Sequence, residues 1–225
     1  MKVAICTPVH GDPKLLFTRN LADLVTAATK AGLDVQWFAQ QSSIVTISRI
    51  RLAEAALAWG ADHLLWIDAD QAFPPDALDR LLAHHEPIVG CNYARKTDPS
   101  GPTALALGAT DETQLVWTTL EKAQHGEIEE VDALGLGMCL VVAEVFRAVE
   151  KPWFNMEFDA EGRLMGEDYW FCLKARAAGF RILVDHGLSW SIGHLGEMAF
   201  TNMHASLDRA RFEMANRRPQ SGDRT

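Results

Sequence analysis

Leu64-Leu65-Trp66-Ile67-Asp68-Ala69-Asp70 runs an apolar strand into two acids separated by one small residue. On an extended chain, side chains two apart share a face. Asp68 and Asp70 are therefore expected to present both carboxylates together. The carboxyl end of a parallel strand is where open α/β sheets bind ligands. Paired oxygens there suit a hard divalent cation carrying a diphosphate. The same acids also suit a turn or the cap of a following helix, and the triplet alone does not choose between these readings.

Outward from this stretch, strand and helix signals alternate through the first half. Residues 3–6 form a short apolar run ended by Thr7-Pro8, and residues 35–39 read as a second strand. Residues 15–31 carry apolar side chains at helical spacing and stop at Gly32. Residues 47–59 place Ile47, Ile50, Ala53 and Leu57 along one side of a helix that ends at Gly60. Downstream, residues 75–84 open on prolines, tolerated where a helix has no amide to satisfy, and residues 88–91 make a fourth strand. Strands separated by helices of this length imply crossover units and a largely parallel sheet.

The second half reads differently. Residues 115–120 and 128–134 look like strands with no helix between them, an antiparallel addition to the parallel sheet. Residues 138–142 are apolar, and a helix is expected over 143–149. Another helix is expected over 168–178, a final strand over 181–184, and a last helix over 205–215. Residues 216–225 form a polar tail. With no repeat, low-complexity tract or linker, the economical reading is one α/β domain over residues 1–215.

Composition bounds the function. The chain has 225 residues, of which 48% are apolar, enough for a sizeable core, and its formal net charge is −9. An acidic chain gains nothing from bulk attraction to nucleic acid or anionic lipid. Cys6, Cys91, Cys139 and Cys172 are far apart and form no CxxC pair, which favours reduced, buried thiols over a disulfide or zinc framework. The apolar run at the start stops at Pro8, too short for a signal-peptide core. No stretch approaches a membrane span. A cytoplasmic protein is expected.

Two further signals carry chemistry. Gly166-Glu167-Asp168 places acids at the first turn of a helix, where the dipole favours them as caps and where a carboxylate can take a proton from a hydroxyl. His194, in His194-Leu195-Gly196, offers an imidazole after the last strand. Joined to the acids it would make a mixed oxygen and nitrogen site, which suits manganese slightly better than magnesium.

In this order, an Asp-x-Asp, a glycine-rich apolar segment, Glu-Asp opening a helix and a late His resemble the GT-A fold glycosyltransferases, and among them the family 2-like enzymes of compact bacterial and phage type. The resemblance covers residues 3–196. It implies a GT-A-like, Rossmann-like sheet and transfer of a sugar from a nucleoside-diphosphate sugar to a hydroxyl acceptor, with inversion. It implies a divalent cation, Mn2+ or Mg2+, held by Asp70 and His194 with Asp68 near the metal or the ribose. Thr7, Pro8 and His10 match the loop that touches the nucleotide. Gly135 and Gly137, in Leu134-Gly135-Leu136-Gly137-Met138, match the segment close to the donor sugar, where glycine allows close backbone approach. Asp168 matches the catalytic base, with Glu167 its neighbour. Arg49 and Lys96 are candidates for diphosphate contacts, or ordinary solvated charges.

There are departures from the family pattern. The stretch after the second strand, Phe38-Ala39-Gln40-Gln41, lacks the acid that reads the nucleotide base, and the Gln-x-x-Arg-Trp pattern of processive members is absent. The acceptor stays open among a glycan, a small molecule, a protein and a modified DNA base. For the last, Arg209, Arg211, Arg217 and Arg218 could touch a backbone, though a solvated helix face also accounts for them. A nucleotidyltransferase acting on a sugar phosphate is the first rival. It is disfavoured because no glycine-rich loop with lysine lies near the N-terminus. A non-catalytic module that binds sugar nucleotide is the second.

Overall fold

The computed structural model describes residues 1–107, 113–158, 162, 164–196 and 199–215. The polar tail, with Arg217 and Arg218, lies outside them. In chain order the elements are β1 (Lys2–Val9), α1 (Leu15–Lys30), β2 (Asp34–Gln41), α2 (Val45–Trp59), β3 (His63–Ile67), β4 (Gln71–Ala72), α3 (Ala77–Leu82) and β5 (Ile88–Gly90). There follow β6 (Leu105–Leu107), β7 (Thr113–Leu115), α4 (Leu120–Gln124), β8 (Ile128–Val131), β9 (Met138–Val142) and α5 (Ala143–Ala148). The last are β10 (Glu157–Phe158), β11 (Leu164–Met165), α6 (Glu167–Ala177), β12 (Ile182–Asp185), α7 (His186–Ser189), β13 (Gly193–Leu195), β14 (Ala199–Thr201) and α8 (Asn202–Ala215). Among the described residues no helix is long and apolar enough to cross a membrane.

Seven strands form one mixed sheet in the order β2-β1-β3-β9-β5-β12-β8. β2, β1, β3, β5 and β12 run one way, while β9 and β8 run against them. The alternation of side chains along each strand divides the core in two. Ala4, Cys6, Leu64, Trp66, Cys139 and Val141 face α2, α5 and α6. Val3, Ile5, Leu65, Ile67, Met138 and Leu140 face α1 and α3. Both faces are thus covered, as the continuous apolar runs of the central strands require. The α/β class read from the sequence is the observed one, a mixed sheet flanked by helices with smaller antiparallel pieces. All four cysteines are free and buried.

Three expectations need correction. The apolar run over 138–142 enters the sheet as β9, antiparallel between β3 and β5, so the parallel order is interrupted at its centre. The strand expected over 115–120 ends at Leu115, and α4 begins at Leu120. The Thr119 side chain decides this by accepting a hydrogen bond from the Lys122 amide at 3.2 Å, a helix N-cap. A helix therefore does lie between the two strands of the second half. The expected antiparallel addition survives as β8, which pairs with β12 at the sheet edge.

An aromatic cluster fixes α6 on the sheet. Phe171 of α6 stacks on Phe146 with centroids 5.0 Å apart and on Phe154 at 5.1 Å. Phe154 meets Trp66 of β3 edge-on at 5.5 Å. The Trp153 indole is satisfied by the carbonyls of Phe146 and Val149, so an otherwise costly buried donor is paired. This packing ties the start of α6, with Glu167 and Asp168, to the strand that ends at Asp68.

Candidate active site

β3 ends at Ile67, and the chain turns at once. The Gln71 amide donates to the Asp68 carbonyl at 3.0 Å, and the Asp68 amide donates to Gly137 O at 3.1 Å. Asp68 and Asp70 therefore share a cavity through a turn, not through the extended pleat expected from their spacing. The turn is pinned from three sides. The Lys14 amide, at the start of α1, donates to Ala69 O at 3.3 Å. β13 pairs with β4 so that His194 stands opposite Gln71. The Leu195 amide donates to Asp70 O at 2.7 Å.

Residues 124 positions apart are brought together by that pairing: His194 Nε2 lies 3.5 Å from Asp70 Oδ1. The other ring nitrogen, Nδ1, is 2.9 Å from the Ala94 carbonyl. A carbonyl only accepts, so Nδ1 carries a proton and Nε2 is the atom turned to Asp70. The ring is backed by Tyr93, edge-on at 5.3 Å. Lys96 approaches the second oxygen, Oδ2, of Asp70 and also donates to Leu195 O at 3.3 Å. Burial alone would raise the Asp70 carboxyl, but hydrogen bonds and charge from His194 and Lys96 outweigh it and hold the group at about 2.

Asp68 belongs to a different group. Arg49 on α2 is 3% exposed at its side chain, and its Nη2 reaches Asp68 Oδ1 at 3.1 Å while its Nε reaches Glu167 Oε1 at 2.9 Å. The guanidinium also lies over the Trp66 ring, 5.4 Å from its centre. Arg49 is thus a buried clamp, not a solvated charge. Burial would favour its loss of a proton, but Asp68 and Glu167 keep it charged. Its Nη1 and the Ser48 hydroxyl are buried without a partner, and both residues line the cavity. Held by Arg49, Asp68 does not join Asp70 and His194 in a three-ligand set.

Glu167 and Asp168 open α6, and their environments differ. Glu167 is engaged by Arg49, whereas among the described residues no basic side chain pairs directly with Asp168. Its Oδ1 accepts from the Tyr169 amide at 2.8 Å. The carboxylate folds back over Gly166, where a β-carbon would lie 2.8 Å from Oδ1. Burial first, and then the charge of Glu167, push Asp168 up to about 6.

The acids, Arg49 and His194 meet at one cavity of about 340 Å³, within the range of ligand pockets, and Lys96 stands behind Asp70 outside the cavity lining. Pro8, His10, Arg49, Asp68, Asp70, Glu167, Asp168 and His194 line it. Asp12, Lys14, Ser42 and Ser48 line it too and were missed in the sequence. Their only signal is position, just after β1 and at the entrances of α1 and α2. Thr7, Gly135 and Gly137 lie behind the wall. Thr7 is fully buried and its hydroxyl accepts from the Trp37 indole at 3.0 Å. The two glycines make room for Tyr93. A β-carbon at Gly137 would lie 2.6 Å from Tyr93 Oη and 2.7 Å from Gln71 Nε2, and one at Gly135 would collide with the same hydroxyl. Close approach is what glycine supplies here, but to the residue backing His194.

Elsewhere, Glu127, Glu129 and His186 hold their ligand atoms within 4.8 Å of one another, the group of three so placed among the described residues. Lys122 already supplies a cation there, touching Glu129 and lying 3.6 Å from Glu127. On α8, Arg211 is paired with Asp98 and Asp208, and Arg209 with Glu213.

No protein-family model and no curated protein sequence matches the chain. Solved structures do. The protein A197 from STIV is similar over 91% of this chain and 92% of its own, with a TM-score of 0.57 and 18% identity, a shared fold. Looser likenesses link the chain to the catalytic domain of Drosophila β1,4-galactosyltransferase 7 in complex with xylobiose, at TM-score 0.44, 16% identity, 98% of this chain and 82% of that one. A mutant of that enzyme in complex with manganese, UDP-Gal and xylobiose gives 0.45 and 15% over the same shares.

Proposed function

We propose that the chain, acting as one catalytic domain over residues 1–215, moves a sugar from a nucleoside-diphosphate sugar to a hydroxyl acceptor, with inversion. The observation that carries the reading is the division of charge in the cavity. Asp68 and Glu167 share Arg49, Asp70 has Lys96 and His194, and among the described residues no basic side chain pairs directly with Asp168. An acid so placed, pushed up to about 6 by burial and the charge of Glu167, is suited to take a proton from an attacking hydroxyl.

The residues present fit a divalent cation. Two ligand atoms bound about 2.1 Å from one ion at right angles stand about 3 Å apart, close to the 3.5 Å between His194 Nε2 and Asp70 Oδ1. The Ala94 carbonyl fixes the imidazole as an outer partner should. A small oxygen-seeking ion keeps waters or takes phosphate oxygens at its other positions. Bound there, Mn2+ or Mg2+ would supply charge neutralisation for the departing diphosphate. The protein's own part is to hold the donor below the β1–α1 loop, to orient Asp70 and His194 through β4 and β13, and to keep Asp168 Oδ2 ready for a proton. Arg49 engages Glu167 at 2.9 Å beside it, so that of the two acids Asp168 is the one left for the hydroxyl.

The test is release of nucleoside diphosphate from a panel of sugar nucleotides in Mn2+. The wild type is expected to hydrolyse at least one donor slowly, and Asp70→Ala to lose that activity while unfolding at a similar temperature. Release of pyrophosphate would instead identify a nucleotidyltransferase. Near wild-type turnover in Asp70→Ala would remove the metal assignment.

A further inference from the structure

Asp70 offers its two oxygens to two different partners. Oδ1 faces His194 Nε2, and Oδ2 is taken by the Lys96 ammonium. Asp70 and His194 are held by backbone: β4 pairs with β13, and Leu195 N–H donates to the Asp70 carbonyl. Lys96 is held differently. The turn beneath it is fixed, with the Arg95 amide on Gly101 O at 2.8 Å and the Ser100 hydroxyl on Arg95 O at 2.8 Å. Its side chain is 32% exposed and, among the described residues, makes two polar contacts, Asp70 and Leu195 O. Of the three groups around Asp70, the lysine is the one free to leave. A flexible stem with a compact charge suits that role.

Resting on the function proposed above, we propose that Lys96 is a built-in counter-ion for Asp70, displaced when a divalent cation binds, and that the freed ammonium then binds the donor's diphosphate. The cavity explains why such a device is needed. It is lined by Asp12, Asp68, Asp70, Glu167 and Asp168 against Lys14 and Arg49, and Arg49 is already spent on two acids. Without either a metal or Lys96, Asp70 would have only the His194 imidazole beside it among like charges. With a metal, the lysine and the ion compete for one carboxylate, and two phosphates arriving with the donor offer the lysine a new partner within its reach. Lys96 thus serves as a positioning charge whose partner depends on what fills the site.

The competition predicts effects of opposite sign in one variant. Lys96→Met should bind Mn2+ roughly fivefold or more tightly than wild type, because a part-exposed ion pair and a like charge are both removed. The same variant, in saturating Mn2+, should bind inorganic pyrophosphate more weakly. Lys96→Arg, which keeps the charge, should stay near wild type in both. Mn2+ affinity is read by electron paramagnetic resonance of the free ion, and pyrophosphate by calorimetry. A structural role would weaken both ligands together, so joint weakening, or unchanged Mn2+ affinity, overturns the proposal. Tighter Mn2+ with unaltered pyrophosphate overturns the transfer to the diphosphate. If Mn2+ binds neither protein, the metal reading of the cavity fails and the counter-ion role falls with it. Binding by Lys96→Met alone supports the displacement.

Discussion

At the scale of single residues, the cavity assigns roles by which acid has a cation. Asp168 is raised to about 6, so its ionised form, the one able to accept a proton, dominates above that pH. Turnover limited by it should fall about tenfold for each pH unit below 6. Asp168→Asn should lose two to four decades of transfer, roughly the value of one positioned base, while keeping donor and Mn2+ binding. A wild-type kcat/KM profile flat from pH 5 to 7 would count against the assignment. The sign for stability runs the other way from activity. A raised acid binds its proton more tightly folded than unfolded, so its ionisation destabilises the fold as pH rises from about 4 to about 6. Thermal unfolding of Asp168→Asn should lack that loss. These acids were visible in the sequence as residue types in a particular order. Their division of labour was not, because Arg49 lies 118 positions from Glu167 and only the fold brings them together.

At the scale of elements, the proposed metal pair, Asp70 and His194, is backed by glycines outside the cavity lining. Gly135 and Gly137 leave space for Tyr93, whose hydroxyl accepts from the Gly137 amide at 3.0 Å and whose ring supports His194. Gly137→Ala should push Tyr93 against the imidazole and displace it from Asp70. We expect Mn2+ affinity to fall at least tenfold while the far-ultraviolet circular dichroism stays that of wild type. Unchanged Mn2+ binding in this variant would show that the ring does not need Tyr93 behind it. The sequence presents the two glycines plainly but not their neighbour, since Tyr93 comes from the segment after β5. The same limit explains the elements that were misread. Residues 115–120, Leu-Val-Trp-Thr-Thr-Leu, have the composition of a strand, and only the Thr119 hydroxyl turns the chain into α4. β1, α1, β2, α2 and β3 were legible because each period and its stop signal agree. Gly60, for example, ends α2 with φ of 83°, a conformation glycine adopts freely.

At the scale of the whole molecule, apolar periodicity reveals that a strand is buried on both faces but not which way it runs. Met138–Val142 would look the same pointing either way, and its reversed place between β3 and β5 shows only in the fold. That place has a consequence for how the chain is made. As it leaves the ribosome, the first 137 residues contain β1, β2, β3 and β5, yet the strand that joins β3 to β5 has not been synthesised. β3 and β5 then each show a bare row of amides and carbonyls in what will become the middle of the sheet, and such rows recruit other chains. A fragment ending at residue 137 should therefore remain unfolded or aggregate, whereas a fragment ending at 185 carries every strand of the large sheet. Limited proteolysis of the two during cell-free translation would tell them apart. A protease-resistant core already present at residue 137 would mean that the first half folds without its central strand. Nascent chains stalled short of Met138 should therefore be bound by a holdase chaperone.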